Sequence, residues 1–334
     1  MTSSTDATGT TRYAHDVAGR RTGLTYPSGG RVQYEHDAED RVTAVVAEPV
    51  AGGPEAHRTE YTYDAAGNVA TVTDPTGGVT EYEYDDAGRR TERRYPNGIT
   101  TTCTYDLRDR ITSVTHTRVA DGTVLLSRAY VRAATGEPTR ITHEDGTYVA
   151  LTYDAALRIA SETYHAANDS VLSAVSYTYD QDGNRTSRTV DGETETYTYT
   201  SGSRLTEVSV GGVPSQTFAY DPGGRVTELR RAGQNLDLAW DSSDHVVGVT
   251  NVDTTGEVQW HFDASGRRTG RDEGSSARRY LVAPNVGQNL ESPQLVMDGL
   301  GNTQVGYVFE GEHPIARYGA SGVPEYYLED GIRS

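Results

Sequence analysis

One short phrase recurs along this chain at nearly constant spacing and constrains the fold more than any other feature. Residues 82–89 read Tyr-Glu-Tyr-Asp-Asp-Ala-Gly-Arg, and residues 61–68 and 177–184 repeat the pattern Tyr-x-Tyr-Asp-x-x-Gly-[Arg/Asn]. Variants run from Tyr13 to Phe262, most of them 20 to 22 residues apart. A period of this length is typical of proteins built by stacking one small structural unit many times.

Each unit shows the two-residue alternation of β-strands. Val32, Tyr34 and His36 alternate with the polar Gln33 and Glu35, which is strand periodicity. Two turn signals divide a unit: the Asp-x-x-Gly of the phrase, and a hairpin tip such as Pro-Asn-Gly. Two strands and two turns in each period predict one β-hairpin per unit and negligible helix.

Neighbouring hairpins should pair with each other, because an isolated hairpin is only marginally stable in water. Strand twist has a fixed hand, so the fold class is predicted to be all-β, with tandem β-hairpins forming a spiralling, shell-like sheet. The position that holds Leu24 in one unit holds Arg93, Glu162 and Arg188 in others. A dry, filled interior is therefore not expected.

The chain is expected to comprise three regions. Residues 1–11 are polar, contain no apolar segment typical of a signal peptide, and should form a flexible lead-in. Residues 12–276 form the repeat array, and residues 277–334 contain degenerate repeats. With about a dozen units and no visible capping segment, the array is predicted to form an open arc with unpaired strand edges near Arg12 and Ser334.

Composition limits the class of protein. Hydrophobic residues make up only 35% of the chain, but the 23 Tyr suit a thin wall that is wet on at least one face. The formal charge is -18 and every one of the 30 basic residues is Arg. Nucleic acid as a partner is disfavoured, because it requires a basic surface. No apolar run approaches the roughly 20 residues of a membrane span.

Sequence motifs for catalysis or metal binding are missing. The single cysteine, Cys103, occupies the position of Tyr82 in the preceding unit and is interpreted as core filler. The nine His residues have no ligand spacing. Residues 180–184 resemble the start of a calcium loop, but Asp191 stands where the closing Glu is required. We therefore predict no enzyme activity, no catalytic residue, no cofactor and no bound metal.

The repeated phrase resembles the YD repeat of RHS proteins, teneurins and the cocoon subunits of insecticidal toxin complexes. Residues 306–318 resemble the start of the RHS-associated core that follows such arrays. Residues 326–334 resemble the phrase that comes after it, with Arg333 where a Gly is usual. The resemblance covers nearly all of the chain after residue 12, and it implies a spiralling β-hairpin shell that is hollow.

The resemblance further implies a function: in the bacterial members of this family the shell encloses a C-terminal polymorphic toxin. The expected function is then a non-catalytic shell segment that is secreted or at the cell surface. Its expected partners are the toxin cargo or the remaining shell segments, and glycans. The alternative is a cell-surface module that binds carbohydrate or protein.

A hydrolase or self-cleaving protease is the weakest hypothesis. Asp221-Pro222-Gly223-Gly224 superficially resembles the family's autoproteolytic element, but it lies in the repeat register and is interpreted as a turn, as is the Asp-Pro-Thr-Gly of residues 74–77. The site residues are accordingly structural ones. The predicted motif residues are Tyr61, Tyr63, Asp64, Gly67, Tyr82, Tyr84, Asp85, Gly88, Arg89, Tyr177, Tyr179, Asp180, Gly183, Tyr220, Asp221 and Gly224.

Overall fold

The computed structural model describes residues 2–6, 9–49, 57–254, 256–263, 265–284, 291–310, 313–319 and 322–328. These residues form 30 strands, and none of them is helical. The all-β prediction is therefore confirmed. The chain divides into two compact units: the first comprises residues 1–100, 241–248 and 257–328, and the second residues 101–240, 249–256 and 329–334.

The strands follow the chain in order. They begin with β1 (Thr2–Asp6), β2 (Gly9–His15), β3 (Arg21–Thr25), β4 (Arg31–His36), β5 (Val42–Glu48), β6 (His57–Tyr63), β7 (Val69–Thr73), β8 (Val79–Tyr84), β9 (Arg90–Arg94) and β10 (Ile99–Tyr105). The next ten are β11 (Ile111–Arg118), β12 (Val124–Arg132), β13 (Pro138–His143), β14 (Tyr148–Tyr153), β15 (Ile159–His165), β16 (Val171–Tyr179), β17 (Arg185–Val190), β18 (Glu193–Tyr199), β19 (Leu205–Val210) and β20 (Val213–Tyr220). The last ten are β21 (Val226–Arg231), β22 (Gln234–Trp240), β23 (Val246–Asn251), β24 (Gly256–Phe262), β25 (Arg268–Glu273), β26 (Ser276–Pro284), β27 (Glu291–Asp298), β28 (Thr303–Glu310), β29 (His313–Gly319) and β30 (Pro324–Tyr326).

Strands that are consecutive in the chain pair antiparallel, as tandem hairpins require. In the first unit this holds from β1 to β9 and from β24 to β30. In the second unit it holds from β11 to β22. Each strand inside these series is thus paired with the strand before it and the strand after it.

A β-bulge recurs at the second aromatic position of the phrase. The register shifts at Tyr63, Tyr84, Tyr179 and Tyr220. A bulge places two residues opposite one and increases the local twist. The Asp-x-x-Gly turn begins immediately after it in every case, so each unit bends at the same place.

The first compact unit has a filled hydrophobic core. A dry, filled interior was not expected from the sequence, so this expectation is corrected for this part of the chain. Leu24, Val32 and Val72 of the array pack in one buried cluster with Leu281 and Ile315 from residues 277–334. The reason lies in strands β26 to β29, which carry apolar segments such as Leu281-Val282-Ala283 and cover the face that presents the first tyrosine of each phrase. Arg93, in the position of Leu24, is only 1% exposed there and donates to the Tyr95 hydroxyl at 2.6 Å.

The same face of the hairpins is only half-covered in the second unit. Val149, Val175 and Val208 are buried, but Tyr177 is half-buried and Tyr164 remains 39% exposed. Polar residues therefore line this face between the valines, as the sequence predicted for the array.

The start of the chain is also corrected. Residues 1–11 were expected to be a flexible lead-in, yet β1 pairs with β2, and Thr5 and Thr10 join their hydroxyls at 2.9 Å. Arg12 lies opposite Ser3 on one side and Thr25 on the other, so it is not at an edge. Thr-rich segments favour strands but show no apolar alternation. Arg333 and Ser334 lie outside the described residues, and the boundary at residue 276 remains a prediction.

Candidate functional site

The aspartate of the repeated phrase is held by the turn that it begins. We call the segment from this aspartate to the residue after the glycine a clip; Asp85–Arg89 is one example. In the turn after β8, Asp85 Oδ1 accepts the N–H groups of Ala87 and Arg89, each at 3.0 Å, and Asp85 Oδ2 accepts Arg89 Nε at 2.7 Å. Asn68 takes the place of arginine after β6 and donates to Asp64 Oδ2 at 3.0 Å. The choice of Arg or Asn directly after the glycine thus follows from the need for a donor that reaches back to the carboxylate.

Hydrogen bonds to the ionised carboxylate lower the pKa of these aspartates. The side chain of Arg89 is the largest cause of the lowered pKa of Asp85, followed by its backbone N–H. The same arrangement with Arg110 lowers the pKa of Asp106 to about 2. Donors that bind only the charged form favour it, so each clip depends on its aspartate being ionised.

The glycine of the phrase sits where the backbone must be left-handed. Gly67, Gly88, Gly183 and Gly224 have φ of 87°, 75°, 89° and 90°. Units without glycine keep this conformation: Leu157, for example, has φ of 61°. The other substitutes with positive φ at this position are Asp40, Asp109, Ser203 and Asp244. Residues other than glycine adopt this region only at a cost, which explains the preference for glycine.

The second aromatic of seven phrases ties its repeat to the preceding one. Its hydroxyl or indole N–H donates to the carbonyl of the residue that follows the preceding clip, at 2.6 to 2.9 Å. The pairs are Tyr63 to Val42, Tyr84 to Val69, Tyr153 to Pro138, Tyr179 to Ile159, Tyr199 to Arg185, Tyr220 to Leu205 and Trp240 to Val226.

Two departures from the phrase support this role. A degenerate copy of the phrase lies at residues 130–133. There Arg132, the last residue of β12, takes the position of the aromatic and donates to the carbonyl of Ile111, which also follows a clip. Phe262 has no donor and instead stacks on His245, the last residue of the preceding clip, with ring centroids 4.4 Å apart. This tie was not predicted from the sequence, although the polar group retained at most of these positions was a signal for it.

Arginines of the clips add a second contact between units. Arg41 lies over the ring of Tyr63 and Arg158 over that of Tyr179, with centroid distances of 4.5 and 4.4 Å. Arg158 Nη1 also donates to the carbonyl of Asp180 at 3.3 Å. A guanidinium over an aromatic face is attracted by the ring quadrupole, so a clip holds its own turn and the next one together.

The environment of the first aromatic of the phrase differs between the two compact units of the chain. In the first unit Tyr61 is buried and donates to the carbonyl of Phe309 at 3.0 Å. Tyr82 is also buried, and its hydroxyl has no partner among the described residues. Burial raises the pKa of Tyr82 well above its ordinary value. In the second unit Tyr177 donates to Glu162 at 2.8 Å.

The two Asp-Pro sequences form turns, as predicted. Asp221 accepts Arg225 Nε at 2.6 Å and its carbonyl accepts the Gly224 N–H, so it is a clip aspartate. Asp74 accepts the N–H groups of Thr76 and Gly78 and the hydroxyl of Tyr326 at 2.8 Å. Both carboxylates are therefore committed to structure. The contact of Asp74 also anchors β30, where the family-like terminal phrase begins.

Other sequence candidates are structural wherever the chain is described. Cys103 is buried. His245 Nδ1 lies 3.0 Å from Asp241 Oδ2, and Asn184 occupies the Asp180 carboxylate within the calcium-like segment. No group of three or more His, Cys, Asp or Glu side chains that could hold a metal ion is present among the described residues. Nor do those residues include a helix of the length and apolarity needed to cross a bilayer.

The first unit contains a cleft of about 380 Å³. Its lining includes Tyr26, Tyr280, His261 and Arg279. Asp272 lies behind the last two, 2.8 Å from His261 Nε2 and 2.5 Å from Arg279 Nη1. The neighbouring charges are thus largely paired, and a neutral ligand with hydroxyl groups would suit the cleft better than an ion.

The comparison with protein families agrees with the repeated phrase. The RHS repeat model matches residues 1–31, 55–79, 63–101 and 84–124, and the teneurin YD-shell model matches residues 125–275. The resemblance to RHS/YD-repeat proteins is confirmed. None of the curated proteins searched matches this chain.

One solved structure has a similar fold at low sequence identity. The YD-repeat chain is similar to "Crystal Structure of TcdB2-TccC3-Cdc42", with a TM-score of 0.50 and 15% identity over 96% of its length. It is also similar to "Crystal Structure of TcdB2-TccC3", with a TM-score of 0.49 and 15% identity over 96% of its length. It spans only 22% and 23% of those chains, respectively. These likenesses concern the fold.

Proposed function

We propose that this chain is a structural segment of an RHS/YD-repeat shell that encloses and delivers a C-terminal toxin domain, without catalytic activity of its own. The observation that carries the proposal is the tie between units. The polar groups of the phrase bind the clip, the preceding unit or the next one, so the residues that recur most often build a wall. The match to the teneurin YD-shell model and the similar fold of the TcdB2-TccC3-Cdc42 structure support this role.

The partners that follow from this role are the enclosed toxin and the remaining segments of the shell. Secretion or display at the cell surface of a bacterium fits a shell that delivers cargo. Nucleic acid does not fit, because the formal charge of -18 opposes binding to phosphates. The motif residues Tyr63, Tyr84, Tyr179 and Tyr220 act in this role as links between successive hairpins.

The experiment is protection of a downstream segment from protease. The chain is produced together with the coding sequence that flanks it, and digestion of the downstream segment is followed with and without the array. We expect slow digestion in the presence of the array and fast digestion when the segment is alone. The variant Asp85→Ala, which removes a clip, should shorten protection, whereas Asp86→Ala at the exposed neighbouring position should not. Equal digestion rates with and without the array would refute the proposal.

A second function, carbohydrate binding, is favoured by the cleft beside Tyr26 and Tyr280. Aromatic rings beside paired polar groups are suited to a sugar ring. Glycan binding by the chain, weakened by Arg279→Ala and unchanged by Arg12→Ala, would support a binding module. The same binding in both variants, or no glycan binding at all, would exclude this cleft as the site.

A further inference from the structure

The last described strand, β30, is joined to the array through tyrosine hydroxyls. It pairs with β29 through three residues. The Tyr326 hydroxyl donates to Asp74 Oδ2 at 2.8 Å, and the Tyr95 hydroxyl donates to the Tyr327 carbonyl at 2.7 Å. We call residues 324–327 the strap, because they connect β29 to the turns that follow β7 and β9.

These two turns form a socket for the Tyr326 side chain. Asp74 and Tyr95 are buried, with 5% and 4% of their surfaces exposed. The ring centroids of Tyr95 and Tyr326 lie 5.5 Å apart. Gly78 leaves the space that the hydroxyl enters, because a Cβ on this residue would lie 2.6 Å from Asp74 Oδ2 and 2.8 Å from the Tyr326 hydroxyl. Pro96 Cγ, in the turn after β9, would be 3.1 Å away.

The strap uses a carboxylate oxygen that its turn does not need. Asp74 Oδ1 accepts the N–H groups of Thr76 and Gly78 within the turn, at 2.8 and 3.0 Å. Oδ2 accepts the Tyr326 hydroxyl. Burial, followed by this hydrogen bond, raises the pKa of Tyr326 above its ordinary value, so the hydroxyl stays a donor. The strap can therefore leave while the hydrogen bonds inside the turn remain.

The strap lacks the fully buried apolar side chains of the strands before it. Leu295 of β27 and Ile315 of β29 are 0% and 1% exposed. Within the strap no residue is fully buried, and Glu325 is exposed. The ion pair of Glu325 with Arg317 lies on the surface and contributes little. Segments with few buried apolar contacts open at a lower free energy than the core of the same protein.

We propose that residues 324–327 are a releasable strap, held in the socket by Tyr326, which opens while strands β26 to β28 stay packed on the array. Opening uncovers Asp74 and Tyr95 and frees the edge of β29. The closed state depends on one hydrogen bond to a carboxylate and one contact between aromatic rings. The strap would open in this way whether or not the array encloses a toxin.

Hydrogen exchange of the full chain, with fragmentation that resolves single amides, tests the strap. The reporter is the Tyr327 amide, which donates to the Ile315 carbonyl at 3.0 Å. After correction for intrinsic rates, it should exchange roughly tenfold or more faster than the central amides of β28 in the natural chain. Equal rates would mean that the strap and the covering strands open together, and would overturn the proposal.

Two variants release the strap in different ways. Gly78→Ala places a methyl group where the Tyr326 hydroxyl lies, and Tyr326→Phe keeps the ring and removes the hydrogen bond. Each should speed exchange of the Tyr327 amide about tenfold, the effect of losing one hydrogen bond to a charged group. Exchange in β28 should change less than about twofold. Faster exchange to the same extent in β28 would also overturn the proposal.

The matched control is Gly77→Ala. It adds the same methyl group one residue earlier, where no atom lies within 4 Å, at a glycine with φ of 88°. Its backbone strain acts on the turn and not on the strap, so the Tyr327 amide should change less than about twofold. Equal effects of Gly77→Ala and Gly78→Ala would assign the change to the turn and refute the socket. Circular dichroism confirms that each variant is folded before the rates are compared.

Discussion

Two tyrosines on one strand give opposite predictions for the same substitution. Tyr84 and Tyr82 lie on β8 and face the same side of the sheet. The Tyr84 hydroxyl donates to the Val69 carbonyl at 2.9 Å, whereas the buried Tyr82 hydroxyl has no partner among the described residues. Tyr→Phe removes only the hydroxyl in each case, so the two variants compare a satisfied and an unsatisfied polar group.

The magnitudes follow from the cost of burying polar groups. Tyr84→Phe should lower the free energy of unfolding by about 1 kcal/mol, the net value of a typical hydrogen bond, and leaves the Val69 carbonyl without this donor. Tyr82→Phe should raise it by about 1 kcal/mol or more, because a buried hydroxyl without a partner carries a desolvation cost that phenylalanine does not. The expected difference between the variants is therefore about 2 kcal/mol.

Urea denaturation monitored by the fluorescence of Trp240 and Trp260, with far-ultraviolet circular dichroism as a second probe, measures this difference. Equal slopes against urea would show that the substitutions change stability rather than the surface exposed on unfolding. A loss of stability in both variants would refute the reasoning, since it would mean that the Tyr82 hydroxyl is satisfied. A neutral Tyr84→Phe would refute the assigned tie between units.

Three other predictions concern the clips. Leu157→Gly should raise the free energy of unfolding by about 0.5–1 kcal/mol in urea denaturation, because it relieves a left-handed backbone at a side chain that is 52% exposed; a loss would contradict this. The control Leu107→Gly, at a fully exposed turn position without positive φ, should not be stabilising. Gly67→Ala should cost about 1–2 kcal/mol from backbone strain alone, since an added Cβ meets no atom within 4 Å, and a neutral result in the same assay would contradict that reading. The lowered pKa of Asp106 means that its ionised carboxylate contributes to stability above about pH 4, and this contribution should be lost as the pH falls towards about 2. Asp106→Asn should therefore reduce the fall in the free energy of unfolding at acid pH. An unchanged fall would show that this clip does not contribute to stability.

Local chemistry predicted the hairpin and its turns but not the contacts between units. The alternation of Val32 and Tyr34 and the turn chemistry of Asp85 and Gly88 each act within a few residues, so they could be read from the sequence. The hydroxyl of Tyr84 bonds to Val69, whose carbonyl carries no sequence signal. Arg132 could not be recognised as a substitute for tyrosine until its contact with the Ile111 carbonyl was known.

The filled core of the first unit was unpredictable for a different reason. It joins residues near 24–82 to residues near 281–326, and their alternation shows only that each segment has an apolar face. Which faces meet across about 250 residues is decided by the tertiary fold. The strand at Thr2–Asp6 was missed because threonine and serine give no apolar periodicity, although they pair well in an antiparallel sheet.

The contrast between the two units explains how a chain with few hydrophobic residues forms so many strands. Where strands β26 to β29 cover the array, Leu24, Val72 and Tyr61 are buried as in an ordinary core. In the second unit, the clips and the tyrosine hydroxyls provide a fixed set of hydrogen bonds at each turn, independent of any covering layer. Because these contacts recur with every unit and join only neighbours, stability there should grow with the number of units. A wall of this kind can remain polar on the face it presents.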